Sequence, residues 1–232
     1  MKKILSSGTT NAKTAKNSRP TKILYLHPSK IEGKEMCPFA SQGCRMACLN
    51  SAGRGAFANV QAARINRTKK YVLDRVNFYD AVHKEINNFA KYYARKGKNV
   101  AIRLNGTSDQ PHVETLVIAQ MRHIEPNVIF YDYTKNYKKA GIRILPNGSK
   151  YIATYSYSDA PNSLDNSLKV LNSGGLVAVV FNKLPEYWHG YKVIDGDAAD
   201  DLMIDLEPGT VIGLKAKGQA KKDTSGFVVQ IN

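Results

Sequence analysis

After Gly97 the chain settles into short apolar runs separated by loop signals, at 99–104, 128–133, 151–155, 176–181, 193–195 and 211–215. Amphipathic stretches at 113–123 and 164–171 lie between several of them. Strand, helix, strand, helix is the pattern of a parallel α/β sheet or barrel. An earlier apolar run at 22–27 reads as the first strand. Residues 56–96 read as helix, because Val72, Val76, Tyr79, Val82, Ile86, Phe89 and Tyr93 recur at spacings of three and four. The expected fold is therefore α/β, a full or incomplete (β/α) barrel of parallel strands. Its single domain spans 22–232, behind a basic, flexible N-terminal arm at 1–21.

Most of these strands end in polar groups: His27; Asn105 and Asp109; Asp132 and Lys135; Ser156 and Asp159; Asp195 and Asp197; Lys215 and Lys217. In parallel α/β folds the C-terminal strand ends share one side of the sheet, where sites are built. The expected site is a single mouth lined by these residues.

All three cysteines, Cys37, Cys44 and Cys48, fall in the polar loop after the 22–27 run. Thiols that merely filled core space would scatter, so the crowding points to one metal centre. Three ligands leave a coordination position open, as a reactive centre requires. Pro38 stops helix formation beside the first ligand, Gly33 and Gly43 let the loop bend, and Arg45 and Arg54 favour thiolates. A [4Fe–4S] cluster with one vacant iron fits three thiolates. Zinc fits if His27 supplies a fourth ligand, and unliganded structural or redox cysteines remain a third reading.

Charge bounds the partners. Lys and Arg number 34 against 19 Asp and Glu, a net charge of +15, which attracts polyanions, and nucleic acid is the commonest of them in a cytoplasm. Arg64, Arg67, Lys69 and Lys70 form one cluster, and Lys138 and Lys139 stand beside Tyr133 and Tyr137 in another. Aromatics among cations stack on bases while the cations hold phosphates; solvated helix faces are the plainer reading. No apolar run approaches the roughly 18–20 residues that span a bilayer. The first 22 residues hold six Lys or Arg and no acid, unlike a signal peptide. The expectation is a cytoplasmic protein of a bacterial host cell, with no membrane partner.

Four motifs carry further chemistry. Asn105 and Asp109, in Arg-Leu-Asn-Gly-Thr-Ser-Asp (103–109), either hold a small polar ligand or, for Asp109, cap the following helix. Asp132 and Lys135 bind a ligand's amine and carboxylate or pair with each other. Asp195 and Asp197 flank Gly196 as a hard-metal site or an ordinary turn. Lys215 and Lys217, among glycines, suit a phosphate without the spacing of a P-loop. Serine elbows and HExxH are absent, which sets aside standard triad and zincin hydrolysis.

Several segments together resemble a phage- and plasmid-encoded family of gene-product or unknown-function domains. They are the Cys loop through Ala-Gly-Arg-Gly (37–55), 103–109, Tyr-Asp-Tyr-Thr-Lys (131–135), Thr-Tyr-Ser-Tyr-Ser-Asp (154–159), 177–181, 193–197 and 211–218. The resemblance covers about 24–229 and implies a mobile-element origin without an activity. A looser resemblance is to radical SAM enzymes, where three cysteines after the first barrel strand hold a [4Fe–4S] cluster with S-adenosylmethionine on the open iron. Here the spacing is six then three rather than three then two, and no Gly-Gly-Glu follows the second strand. Asn105 and Asp109 would take that motif's role.

The leading expectation is an iron–sulfur, radical-SAM-like enzyme of a phage or plasmid, acting on nucleic acid or a nucleotide. Cys37, Cys44 and Cys48 hold the cluster. Asn105, Asp109, Asp132 and Lys135 act on cofactor or substrate with Ser156, and Lys215 and Lys217 hold a phosphate. Two other classes stand beside it. One is a basic DNA- or RNA-binding protein with structural zinc or free thiols. The other is a divalent-metal nuclease or phosphodiesterase using Asp195 and Asp197.

Overall fold

A computed structural model describes residues 3–11, 13–28, 30–120 and 122–232. In chain order the strands are β1 (Ser6–Ser7), β2 (Thr21–Ile23), β3 (Val100–Arg103), β4 (Val128–Thr134), β5 (Gly141–Ile144) and β6 (Lys150–Ser156). They continue as β7 (Val177–Phe181), β8 (Tyr187–Trp188), β9 (Tyr191–Asp195), β10 (Val211–Lys215) and β11 (Val228–Val229). The helices are α1 (Gln42–Met46), α2 (Ala58–Leu73), α3 (Arg75–Ala94) and α4 (Ser163–Asn172). Each apolar run after Gly97 is a strand; in β3, β4, β6, β7 and β10 burial on both faces selects unbroken Val, Ile, Phe and Tyr, whereas β9 is half-exposed. The helical stripe is broken at Asp74, whose φ of −140° and ψ of 66° end α2 and start α3. Asn77 binds both Asp74 carboxylate oxygens there, at 3.0 and 2.9 Å.

The expected barrel does not form. The eleven strands make one open, mixed sheet in the order β1-β2-β3-β4-β6-β7-β10-β9-β8, with β5 and β11 branching from it. From β2 to β9 neighbours run parallel, whereas β1, β5 and β8 pair antiparallel. Closure needs strands and crossover helices to alternate all the way round. Among the described residues α-helices fill only the β2-to-β3 and β6-to-β7 crossovers. Residues 114–119 between β3 and β4 are one π-helical turn, and the path from β7 to β10 runs through the β8–β9 hairpin and a 3-10 turn, Leu202–Ile204. Among the described residues the two terminal strands, β1 and β8, each pair on one side only, and no strand joins the ends.

Alternation sorts β3 and β4 between two cores. Val100, Ile102, Val128 and Phe130 pack with Tyr79, Val82 and Ile86 of α3. Ala101, Tyr131 and Ile152 face the other way, onto Met203 and Ile204. Burying each of these larger apolar side chains contributes about 1.5–3 kcal/mol. The segment expected as a mobile arm is held to the sheet. Ile4 and Leu5 are buried and their N–H groups bind Glu85, while β1 pairs with β2. Lys13 reaches Asp200 at 3.2 Å and the Ser18 and Arg19 N–H groups reach Asp201. The cysteine loop thus follows the second strand of the fold rather than the first, because the Ser6–Ser7 edge strand precedes it.

Candidate functional site

β2, β3, β4 and β6 are parallel neighbours, so their C-terminal ends converge on one edge. The chain leaves β2 into the cysteine loop, β3 into 104–110, β4 into Lys135 and β6 into 157–163. Gly33, with φ +78°, turns the loop as expected. Gly43 is needed for a different reason: a Cβ there would overlap Ser225 Oγ and stand 2.7 Å from Asp159 Oδ1. Asp159 anchors the loop from the end of β6, accepting from Ser41 Oγ and, at 3.0 Å, from the Gly43 N–H. Ser41 in turn caps α1 by accepting the Cys44 N–H at 3.2 Å. Ser41 and Asp159 thus fix the turn that carries the thiols.

The three thiols lie within electrostatic reach of one another. Burial, then Asp109, Cys48, Cys44 and Glu35, pushes the Cys37 thiol up to about 12. Its S–H donates to the Thr107 carbonyl at 3.8 Å. Burial also raises Cys44, opposed by Lys135 and Arg45. Lys135 is a half-buried cation beside the loop: its Nζ donates to Ser156 O, Ser156 Oγ and Tyr157 O at 3.1, 2.9 and 2.8 Å. It sits 5.0 Å from the Phe227 ring centre. Burial lowers its pKa, while Cys44, Asp109, Asp159 and Cys37 hold it up. Three clustered thiols beside the half-buried Lys135 ammonium are soft donors of the kind that zinc and iron–sulfur groups take. Among the described residues no group of three or more His, Cys, Asp or Glu is disposed to hold one metal ion. A cluster spreads its thiolates over separate irons, a wider arrangement than single-ion ligation. Burial and the nearby Arg64 lower the pKa of His27, against a hydrogen bond with Gln61 that raises it.

The other expected site residues are brought to the same edge, mostly as each other's partners. Asp132, on the α3 side of the sheet as alternation requires, accepts the Asn105 N–H at 2.7 Å and Asn105 Nδ2 at 3.3 Å. Burial raises Asp132 to about 8, against Arg103 and Asn105, which lower it. Asn105 Oδ1 accepts from Ser108 Oγ and the Gln110 N–H. Asp109 does not cap the following helix; it ties its loop to β4 through Thr134 Oγ1 and the Lys135 N–H, at 2.9 and 2.8 Å. Asp132 and Lys135 do not pair with each other. These groups form the buried frame of the site, and their polar atoms are engaged.

At the far end of the edge, Asp195 pairs with Lys215 at 3.7 Å and Asp197 with Lys217 at 2.6 Å. Burial would raise Asp197, but Lys217 and the Lys215 N–H outweigh it and hold it below the usual range. The Asp-Gly-Asp segment is a lysine-neutralised turn. Lys217 also lines a cavity of 180 Å³ with Cys48, Ala52, Gln219 and Lys222. Gln219 and Lys222 carried no signal in the sequence, because only tertiary packing sets them opposite Cys48. Asp159 was visible as a strand-end acid, but its role on the loop was not.

The chain matches the family model Gene product 88 over residues 3–231. It belongs to the Gene product 88 family. The match bears out the expected gene-product family and assigns no chemistry. No curated protein and no solved structure matches this Gene product 88 chain.

The predicted nucleic-acid cluster on α2 divides. Arg64 is 7% exposed, stacked 5.2 Å from the Tyr25 ring centre and bonded to Asn50 Oδ1. It points into the fold, and charge alone did not reveal its helix face. Arg67 donates to the Tyr25 carbonyl at 3.4 Å, and Lys69 pairs with Glu32 at 3.2 Å. Lys70 is exposed, and Lys138 and Lys139 occupy a surface 3-10 turn. No helix among the described residues is long and apolar enough to cross a membrane.

Proposed function

We propose that this protein is an iron–sulfur enzyme, radical-SAM-like in its use of an open iron, that acts on a nucleotide or nucleic acid. The observation that carries the reading is the convergence of Cys37, Cys44 and Cys48 at the C-terminal edge of parallel strands, beside the half-buried ammonium of Lys135. The three thiolates would hold a [4Fe–4S] cluster, which when bound supplies one-electron chemistry and a vacant iron for S-adenosylmethionine.

The protein's own residues have separable tasks. Asp159 and Ser41 hold the cysteine turn in place. Lys135 offsets the negative charge of the thiolates, and the Lys135 N–H with Thr134 fixes Asp109 behind Cys37. Asn105 and Asp132 lock the end of β3 against β4. All are positioning residues in this reading, and Lys217 and Lys222 are the solvent-facing cations next to the thiols.

Anaerobic purification with iron and sulfide quantified tests the proposal. About four irons and four sulfides per chain, with a broad thiolate-to-iron absorption, are expected. Cys44→Ser should lose both, and S-adenosylmethionine cleavage by the reduced protein is the next assay. A colourless, iron-free protein after strictly anaerobic work sinks the reading.

A further inference from the structure

The cysteine loop is unusual on its outside as well as its inside. Phe39, Met46, Leu49 and Phe57 are large apolar side chains left 45%, 68%, 61% and 58% exposed. All four belong to the segment that carries the thiols. Four such side chains within residues 39–57 concentrate exposed apolar surface in one stretch of the chain. The polar neighbours are of one sign: residues 37–57 and 215–222, which face each other across the Cys48 cavity, hold six Lys or Arg and no Asp or Glu. Lys215 and Lys217 are partly neutralised by Asp195 and Asp197, and Arg45 by Glu35 at 3.4 Å. Among the described residues Arg54, Lys221 and Lys222 have no acidic partner.

We infer that this face binds single-stranded nucleic acid, with bases against Phe39 and Phe57 and a backbone phosphate in the cavity between Cys48 and Lys222. The inference deepens the proposed function by naming its substrate class and the path of the strand. Charge complementarity requires a polyanion. A duplex presents phosphates to such a face and buries its bases, leaving four exposed apolar side chains without a ligand. An unpaired strand offers both, because every base has a face that stacks on an aromatic ring. The cavity, at 180 Å³, is large enough to admit a phosphate group. The strand would then pass directly over the thiols. The binding surface is the cysteine loop itself, not the α2 cluster around Arg64.

Fluorescence anisotropy with a labelled oligothymidine strand and a duplex of equal length tests this on the full chain. Tighter binding of the single strand is expected, with Phe39→Ala and Phe57→Ala each weakening it about tenfold. Lys222→Gln should reduce the salt slope by about 0.7, whereas Lys70→Gln on the exposed face of α2 should leave binding unchanged. Both phenylalanines are half exposed, so unchanged melting of the variants separates lost binding from lost fold. Equal affinity for duplex, indifference to the phenylalanine substitutions, or binding to anionic lipid vesicles without binding to the strand would overturn the inference. Iron content is read on the same samples. Strand binding by iron-free protein sinks only the cluster, and iron-loaded protein that ignores the strand sinks only this surface.

Discussion

Replacing Asp200 should destabilise the whole fold, by an amount the structure bounds in two ways. Asp200 is buried on the face of the sheet opposite α3. It accepts Arg103 Nη1 at 3.1 and 2.9 Å, Tyr131 Oη at 3.0 Å and the Lys13 ammonium at 3.2 Å. Burial alone would raise its carboxyl, but Arg103 and Lys13 outweigh this and hold it at about 2, below the ordinary 3.8. At about 1.4 kcal/mol per unit, that difference contributes about 2–3 kcal/mol at neutral pH. The carboxyl is depressed in the folded state. Its contribution is therefore complete above the unfolded value of 3.8 and is lost as pH falls through about 2. Asp200→Asn removes that contribution and also leaves the Arg103 guanidinium buried without a counter-charge, which typically costs about 3–5 kcal/mol. Urea unfolding at neutral pH should show a loss in that range for Asp200→Asn, with a flatter acid limb than wild type between about pH 4 and pH 2. A loss below about 1 kcal/mol, or an unchanged acid limb, would refute the reasoning that this ion network anchors the N-terminal segment.

Gly43→Ala should cost about 1–3 kcal/mol, since the new methyl meets Ser225 and Asp159 in a closed space; thermal melting and iron retention should fall together. In the metal-free protein Cys37, pushed up to about 12, should resist iodoacetamide at mildly alkaline pH, and modification followed by mass spectrometry should show its rate still rising at the highest pH accessible. Asp132, raised to about 8, binds its proton more tightly folded than unfolded, so stability declines as pH rises from about 4 toward 8. Asp132→Asn should flatten that decline in urea titrations across the range, and an unchanged slope would show that the carboxyl is already ionised in the fold.

Local pattern made much of this molecule legible. The strands at 100–103, 128–134, 150–156, 177–181 and 211–215 were visible because strands covered on both faces must be continuously apolar. The polar groups at their ends could be assigned to one edge because parallel neighbours share a direction. The cysteines could be read as one cluster because twelve residues of loop cannot carry them far apart.

What the sequence could not carry was anything set by partners distant in the chain. Closure of the sheet was one such property. Strands of two to four residues, Ser6–Ser7, Gly141–Ile144 and Tyr187–Trp188, bound the sheet or branch from it by pairing antiparallel, and they are too short to show a period. The N-terminal segment was another: its lysines looked free because Asp200 and Asp201 lie more than 180 residues away. The same limit separates Arg64 from Lys70, equal as charges but turned to opposite sides of one helix. It also hid Asp159 beneath the thiol loop and Lys222 across from Cys48. Composition and periodicity determine which segments seek burial and which charges are available. Only the packed sheet decides which of those charges are neutralised, because an ion pair depends on distance in space rather than along the chain.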